Sequence, residues 1–344
     1  MENKKQILSM QLNVDDFAPA SDSEKESLSV MRESVSFWKD GLRRLRKNPI
    51  AMVSLAVLII VLILAFIVPA FYPYDYATQI RGSENLGPMQ YSEAEQAAMA
   101  AGEKVFPHIL GTDSLGRDYA VRVMMGTRVS LSVGLLASVL VLLIGSVYGS
   151  VAGFLGGKVD LFMMRIVDII YSLPDMLMVV LLSVVLREII NVDAFPALQK
   201  IGTNMISMFI VFALLYWTGM ARMVRGQILT VKQNEYILAA RVSGAKDSRI
   251  IRRHILPNIV SVIIIAAALQ IPSAIFTESF LSFIGLGVQA PMPSLGSLAN
   301  EARAGITQYP YKLLFPAGMI CLITLAFNLL GDGLRDAFDP KLRR

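Results

Sequence analysis

The stretch of this sequence that comes nearest to a nucleotide-binding loop is Ala152–Val159, which reads AGFLGGKV. A phosphate-cradling loop needs Gly five residues before its last Gly and Ser or Thr directly after the Lys. Ala152 and Val159 occupy those two positions, and no strand is predicted before them. We therefore expect this chain to bind no ATP itself.

Metal coordination and disulfide chemistry are also poorly supported by the residue types. The chain contains only two His and one Cys, so it lacks the Cys and His clusters that hold zinc and similar metals. Cys321 has no second Cys with which to form an internal disulfide. No nucleophile stands beside a general base at a recognisable spacing. We therefore expect neither a metal site nor an enzyme active site.

The charged residues that carry the most information lie between Ala221 and Asn258. Eight of them are Lys or Arg, and only Glu235 and Asp247 are acidic. Basic loops of membrane proteins lie predominantly on the cytoplasmic side. Charge alone leaves open whether this loop only orients the chain or also binds a partner.

The pattern within this loop predicts a helix–turn–helix hairpin that projects into the cytoplasm. Glu235–Val242 suits a short helix, and Gly244 can adopt the positive φ that ends it. Asp247 or Ser248 can cap the second helix, and Pro257 is expected to break the chain before the next apolar run. Four residues of the second helix fall on adjacent positions of the helix: Ile250, Ile251, His254 and Ile255.

The composition requires a membrane to position these residues. Apolar side chains make up 54% of the 344 residues, and charged side chains only 17%, against about 25% in soluble domains. The mean hydropathy is +0.55. Five windows long enough to span a bilayer contain no Asp, Glu, Lys or Arg. They are Ile50–Phe71, Ser130–Gly157, Ile201–Met220, Ile255–Thr277 and Leu313–Gly331.

The distribution of basic residues decides whether a sixth segment crosses the membrane. The segment from Leu161 to Leu186 is apolar but contains Arg165, Asp168 and Asp175. The basic stretch before the first span and the basic loop should share the cytoplasmic side, which requires an even number of crossings between them. The predicted fold is therefore all-α, a polytopic membrane protein with six transmembrane helices and both termini cytoplasmic.

This topology divides the chain into five parts. Residues 1–48 form a cytoplasmic N-terminal tail, expected to be partly disordered over Met1–Ser36, and residues 49–71 form the first span. Residues 72–128 lie outside, with a short surface helix predicted within Ser92–Glu103. Residues 129–334 form a core of five spans with the cytoplasmic loop 221–258, and residues 335–344 form a cytoplasmic C-terminal tail.

Four glycines recur every four residues in the second span, so a helix presents them as one stripe without side chains. They are Gly145, Gly149, Gly153 and Gly157. Such a stripe lets another helix approach closely. We predict close helix packing here, with the partner helix in this chain or in another subunit.

The charged residues near the ends of the spans are predicted to be structural. Arg165 and Asp168 are three residues apart and can pair along one helix face. Glu278 is predicted to be a satisfied carboxylate at the outer end of the fifth span, with a position along a pathway or against a partner protein as the alternative. Five residues before the second span are predicted to form a salt-bridged collar at the outer surface: Asp113, Arg117, Asp118, Arg122 and Arg128.

The basic loop resembles the signature of membrane subunits of ATP-binding-cassette (ABC) importers. The matching residues are Ala239, Ala240, Gly244, Leu256 and Pro257, whereas Leu238 stands where the family usually has Glu. Further stretches resemble the C-type permeases of peptide importers, in the same order along the chain. They are His108–Gly134, Gly156–Leu177, Glu278–Leu298 and Leu329–Arg344.

The resemblance implies a type I ABC importer permease in a bacterial inner or plasma membrane. Its partners would be a homologous second permease, two ATP-binding subunits that use ATP and Mg, and an extracellular solute-binding protein. The substrate would be an oligopeptide or dipeptide, or, as in some relatives, a nickel complex or glutathione. The family's coupling helix, which sits in a cleft of the ATPase, would involve Glu235, Ala239, Ala240, Gly244, Ala245, Asp247, Ile250, Ile251, His254, Leu256 and Pro257.

Two other functional classes stay open. A gradient-driven secondary transporter tends to carry ionisable residues near the bilayer midplane and broken helices, and the uncharged windows argue against it. A membrane scaffold without transport would copurify without ATPase subunits. The even balance of 32 basic and 27 acidic residues gives no reason to expect a nucleic acid partner. The sequence shows no recognisable substrate pocket.

Overall fold

The computed structural model describes residues 37–190, 202–288 and 290–338 of the chain. The predicted tail over Met1–Ser36 lies outside these residues, as does most of the predicted tail 335–344. Within them the structure is helical, and the only strand-like pairing is an isolated bridge between Thr112 and Asp118. The chain divides into two units, Met1–Asp40 and Gly41–Arg344.

The helices of the described residues are numbered in chain order. They are α1 (Phe37–Lys47), α2 (Pro49–Phe66), α3 (Glu93–Ala100), α4 (Tyr119–Leu155), α5 (Gly157–Ser172), α6 (Asp175–Ile189), α7 (Thr203–Leu215), α8 (Trp217–Val231), α9 (Glu235–Val242), α10 (Asp247–Ile250), α11 (Leu256–Phe283), α12 (Leu295–Ala302) and α13 (Tyr311–Phe338). A π turn over Ile251–Ile255 joins α10 to α11. Helix α3 confirms the predicted surface helix, and Ser92 and Glu95 close its first turn as a capping box.

Five helical runs are long and apolar enough to cross a membrane. They are Pro49–Ala70, Tyr119–Leu155, Thr203–Val231, Asp247–Phe283 and Tyr311–Phe338. Helices α5 and α6 pass the same test only together, and they meet at an angle of 89°. With this bent pair as one span, the described residues contain the six predicted crossings.

The register between α4 and α8 explains why the bent pair has to return the chain across the bilayer. Gly145, Gly149 and Gly153 of α4 lie against Met220, Ala221 and the Arg225–Ile228 turn of α8 respectively. The residue numbers rise together, so α4 and α8 run parallel. Because α7 and α8 form one run that is parallel to α4, α7 begins on the side of the membrane where α4 begins. The chain must therefore cross the membrane once between the end of α4 and the start of α7. This single return crossing agrees with the even number that the positive-inside argument requires.

Two helices extend past the segment boundaries that the sequence predicts, because they continue through charged residues. Helix α4 begins at Tyr119, well before residue 129, and the Asp118 carboxylate caps it by accepting the Val121 N–H at 3.0 Å. Helix α8 continues to Val231, so the first part of the predicted loop 221–258 is helical. Arg222 and Arg225 therefore lie on α8, where both are paired with acidic residues.

Pro257 does not break the chain, contrary to the prediction. The helical run is continuous from Asp247 to Phe283, and the π turn directly precedes Pro257. Pro is tolerated in the first turn of a helix, and a π turn shifts the hydrogen-bond register by one residue. The predicted capping of α10 is also wrong, because Lys246 is its N-cap residue and no side chain caps it.

Helix α4 lies at the centre of the membrane part and packs most extensively against α8 and α11. Helix α13 packs against α11 and α2 on another side of the bundle. The Asn48 side chain accepts the N–H groups of Ile50 and Ala51 and so starts α2 directly after α1. These contacts hold the elements that carry the site.

Candidate functional site

The hairpin, Glu235–Ile250, is closed by a Schellman turn at Gly244. Gly244 has φ +75°, and its N–H donates to the Arg241 carbonyl at 2.9 Å. The Ala245 N–H donates to the Ala240 carbonyl at 3.1 Å. This pair of bonds satisfies the last carbonyls of α9 and needs a residue that adopts positive φ without strain. The predicted helix end at Gly244 is confirmed, and the turn geometry is its physical reason.

One side of the hairpin is packed into the protein. Ile237 of α9 and Ile250 of α10 are completely buried, as is Ile255 of the π turn. They form one apolar cluster with Val224 and Ile228 of α8. Four more of the predicted coupling residues pack around this cluster and are half-buried: Ala240, Ala245, Ile251 and Leu256. The hairpin is therefore joined to the membrane helices by apolar contact.

The opposite side of the hairpin faces away from the protein. Val242 is 90% exposed and Leu238 is 52% exposed. Five of the predicted coupling residues are also exposed: Glu235, Ala239, Gly244, Asp247 and Pro257. His254 is half-buried, and its ring centre lies 6.5 Å from that of Tyr236. Large apolar side chains exposed among charged ones on a projecting element are typical of a protein-binding surface.

Basic residues connect the hairpin region to the C-terminal end of α4. The Lys232 ammonium donates to the Phe154 carbonyl at 2.6 Å. The Arg241 guanidinium lies 5.4 Å from the centre of the Phe154 ring, within cation–π range. A displacement of the hairpin therefore acts on α4 as well as on α8 and α11.

Helices α4 and α8 approach closely along the glycine stripe, so the partner helix lies in this chain. A Cβ atom added at Gly149 would lie 2.4 Å from the Ala221 carbonyl oxygen. Added at Gly145 or Gly153, it would lie within 3.0 Å of α8. Gly157 does not share this contact, because α4 ends before it, and a Cβ there would meet open space. The stripe thus has three glycines and not four.

Two aspartates of α5 pair with two arginines of α8. Asp160 binds Arg225 in a bidentate ion pair, with both N–O distances 2.6 Å. The Asp168 carboxylate accepts from the Arg222 guanidinium at 2.7 Å. The predicted pair between Arg165 and Asp168 is wrong, because Asp168 faces α8. These pairs hold the first half of the bent span against the helix that leads to the hairpin.

A pocket of about 370 Å³ lies where two helix pairs are interrupted. One interruption is the bend between α5 and α6, and the other lies at Tyr216, between α7 and α8. The polar side chains that line it are Tyr171, Asp175, Tyr216, Thr218 and Gln270. Of these residues, Asp175 alone was predicted from the sequence, as a structural charge with a position beside the ATPase contact as the alternative. Pro174 was the available signal, since a proline disfavours helix at the residue before it.

The outer collar is confirmed for three of its five residues. Arg117 and Arg122 both bind the Asp113 carboxylate, at 2.6 and 3.2 Å, and Arg122 also binds Glu301 at 2.9 Å. Arg128 instead donates to main-chain carbonyls at the end of α2. The collar joins the start of α4 to α12, which carries Glu301.

Asp118, the fifth predicted collar residue, binds a buried histidine and no arginine. Nδ1 of His108 lies 2.7 Å from the Asp118 carboxylate, and Nε2 lies 3.0 Å from Glu95. The His108 ring also stacks on Tyr74, with 4.5 Å between centres. Burial lowers the pKa of His108, but hydrogen bonds and charges from the two carboxylates outweigh it, so the pKa is raised above its ordinary value. His108 thereby links α3 to the start of α4.

Glu278 is satisfied as predicted, but it lies inside α11 and is completely buried. Its carboxylate accepts the Ser130 hydroxyl at 2.6 Å and the Ser282 hydroxyl at 2.7 Å. Because it is fully enclosed, it lines no pathway in this structure. In the part of the chain that the structure describes, no group of three His, Cys, Asp or Glu residues is arranged to hold a metal ion.

Comparison with known proteins complements this geometry. Residues 145–344 match the family described as binding-protein-dependent transport system inner membrane component. Residues 36–88 match the N-terminal TM domain of oligopeptide transport permease C.

Three relatives cover nearly the whole chain. The oligopeptide transport system permease protein OppC of Bacillus subtilis (strain 168) is 41% identical over 95% of this chain and 97% of its own length. The dipeptide transport system permease protein DppC of the same organism is 41% identical over 95% and 93%. The glutathione transport system permease protein GsiD of Pectobacterium atrosepticum is 36% identical over 89% and 92%.

Proposed function

We propose a peptide-transport role for this chain, which belongs to the family of binding-protein-dependent transport system inner membrane components. In this proposal it is the C-type permease subunit of an ABC importer of oligopeptides or dipeptides. Relatives with 41% identity carry the names of permeases for those substrates. The chain supplies half of the translocation pathway, and ATP hydrolysis takes place in separate subunits.

The observation that carries this proposal is the two-sided hairpin. Its inner side is buried against α8 through Ile237 and Ile250, while its outer side exposes Val242 and Leu238. A surface of this kind suits a cleft on an ATPase subunit. A force applied to the outer side passes to the membrane helices through a packed core, which transmits displacement because it is hardly compressible.

Coupling then follows from how the helices are joined. Closure of the ATPase dimer upon ATP binding moves the hairpin, and α8 and α4 move with it because the glycine stripe and the Phe154 contacts hold them together. Helix tilting of this kind opens a central cavity to one side of the membrane at a time. A homologous second permease forms the other half of the cavity, and an extracellular solute-binding protein delivers the peptide to its outer face.

Replacement of Val242 by Asp tests the hairpin surface. The assay uses the complete importer in proteoliposomes with its binding protein and a radiolabelled peptide. A carboxylate forced into an apolar interface without a partner is strongly unfavourable. We therefore expect Val242→Asp to lose both copurifying ATPase and at least about 90% of ATP-dependent uptake. Val242 is almost fully exposed, so the chain itself should still fold.

Lys158→Asp is the matched control, because Lys158 is also exposed but lies outside the hairpin. It should keep ATPase association and uptake. If Val242→Asp behaves like this control, the hairpin does not dock an ATPase. Uptake that survives collapse of the proton gradient at constant ATP supports the ABC mechanism. Direct loss under that condition supports the gradient-driven alternative, whose hallmark of a broken helix the structure does contain.

A related importer of glutathione is the second candidate, because the relative named for that substrate is 36% identical over 89% of this chain. Competition decides between the two. Uptake of a labelled dipeptide that excess unlabelled glutathione leaves unchanged indicates a dipeptide or oligopeptide system. Uptake of labelled glutathione that an excess of unlabelled dipeptide leaves unchanged indicates a glutathione system.

A further inference from the structure

The pocket at Tyr216 lies near the middle of the bilayer. A Cβ atom at Gly145 of α4 would lie 2.9 Å from the carbonyl oxygen of Trp217, the residue next to Tyr216. Gly145 precedes the inner end of α4 at Leu155 by about 15 Å, because a helix rises about 1.5 Å per residue. That is roughly half of the 30 Å hydrocarbon thickness.

The helix interruptions at this depth require a polar environment. The bend before α6 and the turn at Tyr216 interrupt regular α-helix, although the Tyr216 N–H still donates to the Phe212 carbonyl at 3.1 Å. No side chain caps the N-terminus of α6. Irregular backbone at membrane depth is tolerated only where protein covers it or where it lines a water-filled cavity. The two breaks and the pocket therefore belong to one polar region inside the membrane.

Asp175 differs from the two acidic residues of α5, the first half of the bent span. Asp160 and Asp168 each bind an arginine of α8. Across the ranges that the structure describes, Asp175 takes part in no ion pair, and its carboxylate faces the Tyr216 hydroxyl. The N-terminal end of α6 stabilises a carboxylate at this position. An intramembrane carboxylate without a counter-ion is a site for a charged partner that is not part of the fold.

The chemistry of this partner follows from the lining. Asp175 accepts hydrogen bonds and carries negative charge, so it matches an ammonium group. Gln270 adds an amide group that can bind peptide N–H and C=O groups. The hydroxyls of Thr218 and Tyr216 already bond to the Leu215 carbonyl and to Thr277, and their oxygens can accept a peptide N–H. The pocket volume of about 370 Å³ is at the lower end of the range for ligand sites. It therefore suits the end of a peptide better than a long chain.

We propose that Asp175 and the pocket around it form the subsite of the translocation pathway that receives the protonated N-terminal amine of the peptide. This inference rests on the proposed peptide-transport function. It accounts for passage of peptides of different sequence, because all unmodified peptides share the terminal ammonium group. Side chains beyond the first residues then lie in the wider cavity between the two permeases.

The test compares transport with ATPase stimulation in the reconstituted complete importer. The loaded binding protein is saturating, and the probe is a labelled dipeptide with neutral side chains. Asp175→Asn should reduce peptide transported per ATP hydrolysed about tenfold, equivalent to about 1.4 kcal/mol. Stimulation of the ATPase by loaded binding protein should persist, and Asp175→Glu should restore most of the transport. Glu188→Gln is the matched control, because it removes an exposed carboxylate at the far end of α6.

The outcomes separate this inference from the proposed function. Wild-type importer without ATP-dependent peptide uptake overturns both. Normal wild-type uptake with an unchanged transport-to-ATP ratio in Asp175→Asn overturns the subsite and leaves the peptide permease intact. A complex that falls apart, or loses ATPase stimulation and uptake together without rescue by Glu, assigns Asp175 a structural role and also overturns the subsite.

Discussion

Adding one methyl group to Gly149 tests whether α4 and α8 approach as closely as the structure places them. The new Cβ would lie 2.4 Å from the Ala221 carbonyl oxygen and 3.0 Å from Val224 Cβ. A main-chain oxygen cannot rotate away as a flexible side chain can. The two helices must therefore separate by about 1 Å before the contact reaches an ordinary van der Waals distance.

The expected size of the effect comes from two opposing contributions. Overpacking of a close contact costs about 1–3 kcal/mol. Replacing Gly by Ala in a helix contributes up to about 1 kcal/mol of stability through lower backbone entropy loss. Gly226→Ala isolates the second contribution, because Gly226 lies within α8 and a Cβ there meets no atom within 4 Å. The difference between the two variants is then the overpacking contribution, about 1–3 kcal/mol in favour of Gly226→Ala.

Thermal unfolding of the purified complex in one detergent measures this difference. Gly149→Ala should melt below Gly226→Ala, and Gly226→Ala should melt at or above the wild type. Peptide uptake should fall in Gly149→Ala, because α4 moves with the hairpin through α8. Equal melting temperatures for the two alanine variants would refute the close approach of α4 and α8, and with it the route of coupling.

Three further measurements address the ion pairs and buried groups. Asp160→Arg alone should lower the melting temperature because it places two cations together, and adding Arg225→Asp should restore it, whereas no restoration contradicts the pair. The raised pKa of His108 means that its contribution to stability is complete below about pH 6.5 and is lost as pH rises through that pKa. Hydrogen exchange of residues 93–100, corrected for intrinsic rates, should therefore accelerate in the wild type as pH rises through that pKa and show no such step in His108→Gln. Glu278→Leu should reduce the yield of folded protein, because serine hydroxyls such as that of Ser130 lose their hydrogen-bond acceptor, at a cost of about 1–3 kcal/mol each. An unchanged yield would contradict the role of Glu278 as a buried acceptor.

The membrane architecture and the hairpin turn could be predicted from the sequence because each depends on short-range rules. A span needs about 20 apolar residues, and basic residues mark the inner side, so both can be recognised one segment at a time. Gly244 could be recognised because only the local turn decides its conformation. The collar pair between Asp113 and Arg117 also lies within one turn of chain.

The predictions that failed concern groups whose partners lie on another helix. Asp168 was assigned to Arg165 because neighbours along a helix are the only partners that spacing can suggest, but α8 brings Arg222 closer. Helix α8 continues through its arginines because α5 supplies the opposite charges. Pro257 continues a helix because the preceding π turn accommodates it.

The sequence by itself determined that this is a six-span helical membrane protein of the ABC permease type with a basic hairpin, because hydropathy, charge and turn chemistry are local properties. Only the tertiary structure decided that the glycine stripe meets α8 and that the third span is bent. It also decided that Asp175, Tyr216 and Gln270 line one pocket. Those three residues lie on α6, at the junction of α7 and α8, and on α11. Their approach depends on the packing of all the spans together, which no spacing along the chain encodes.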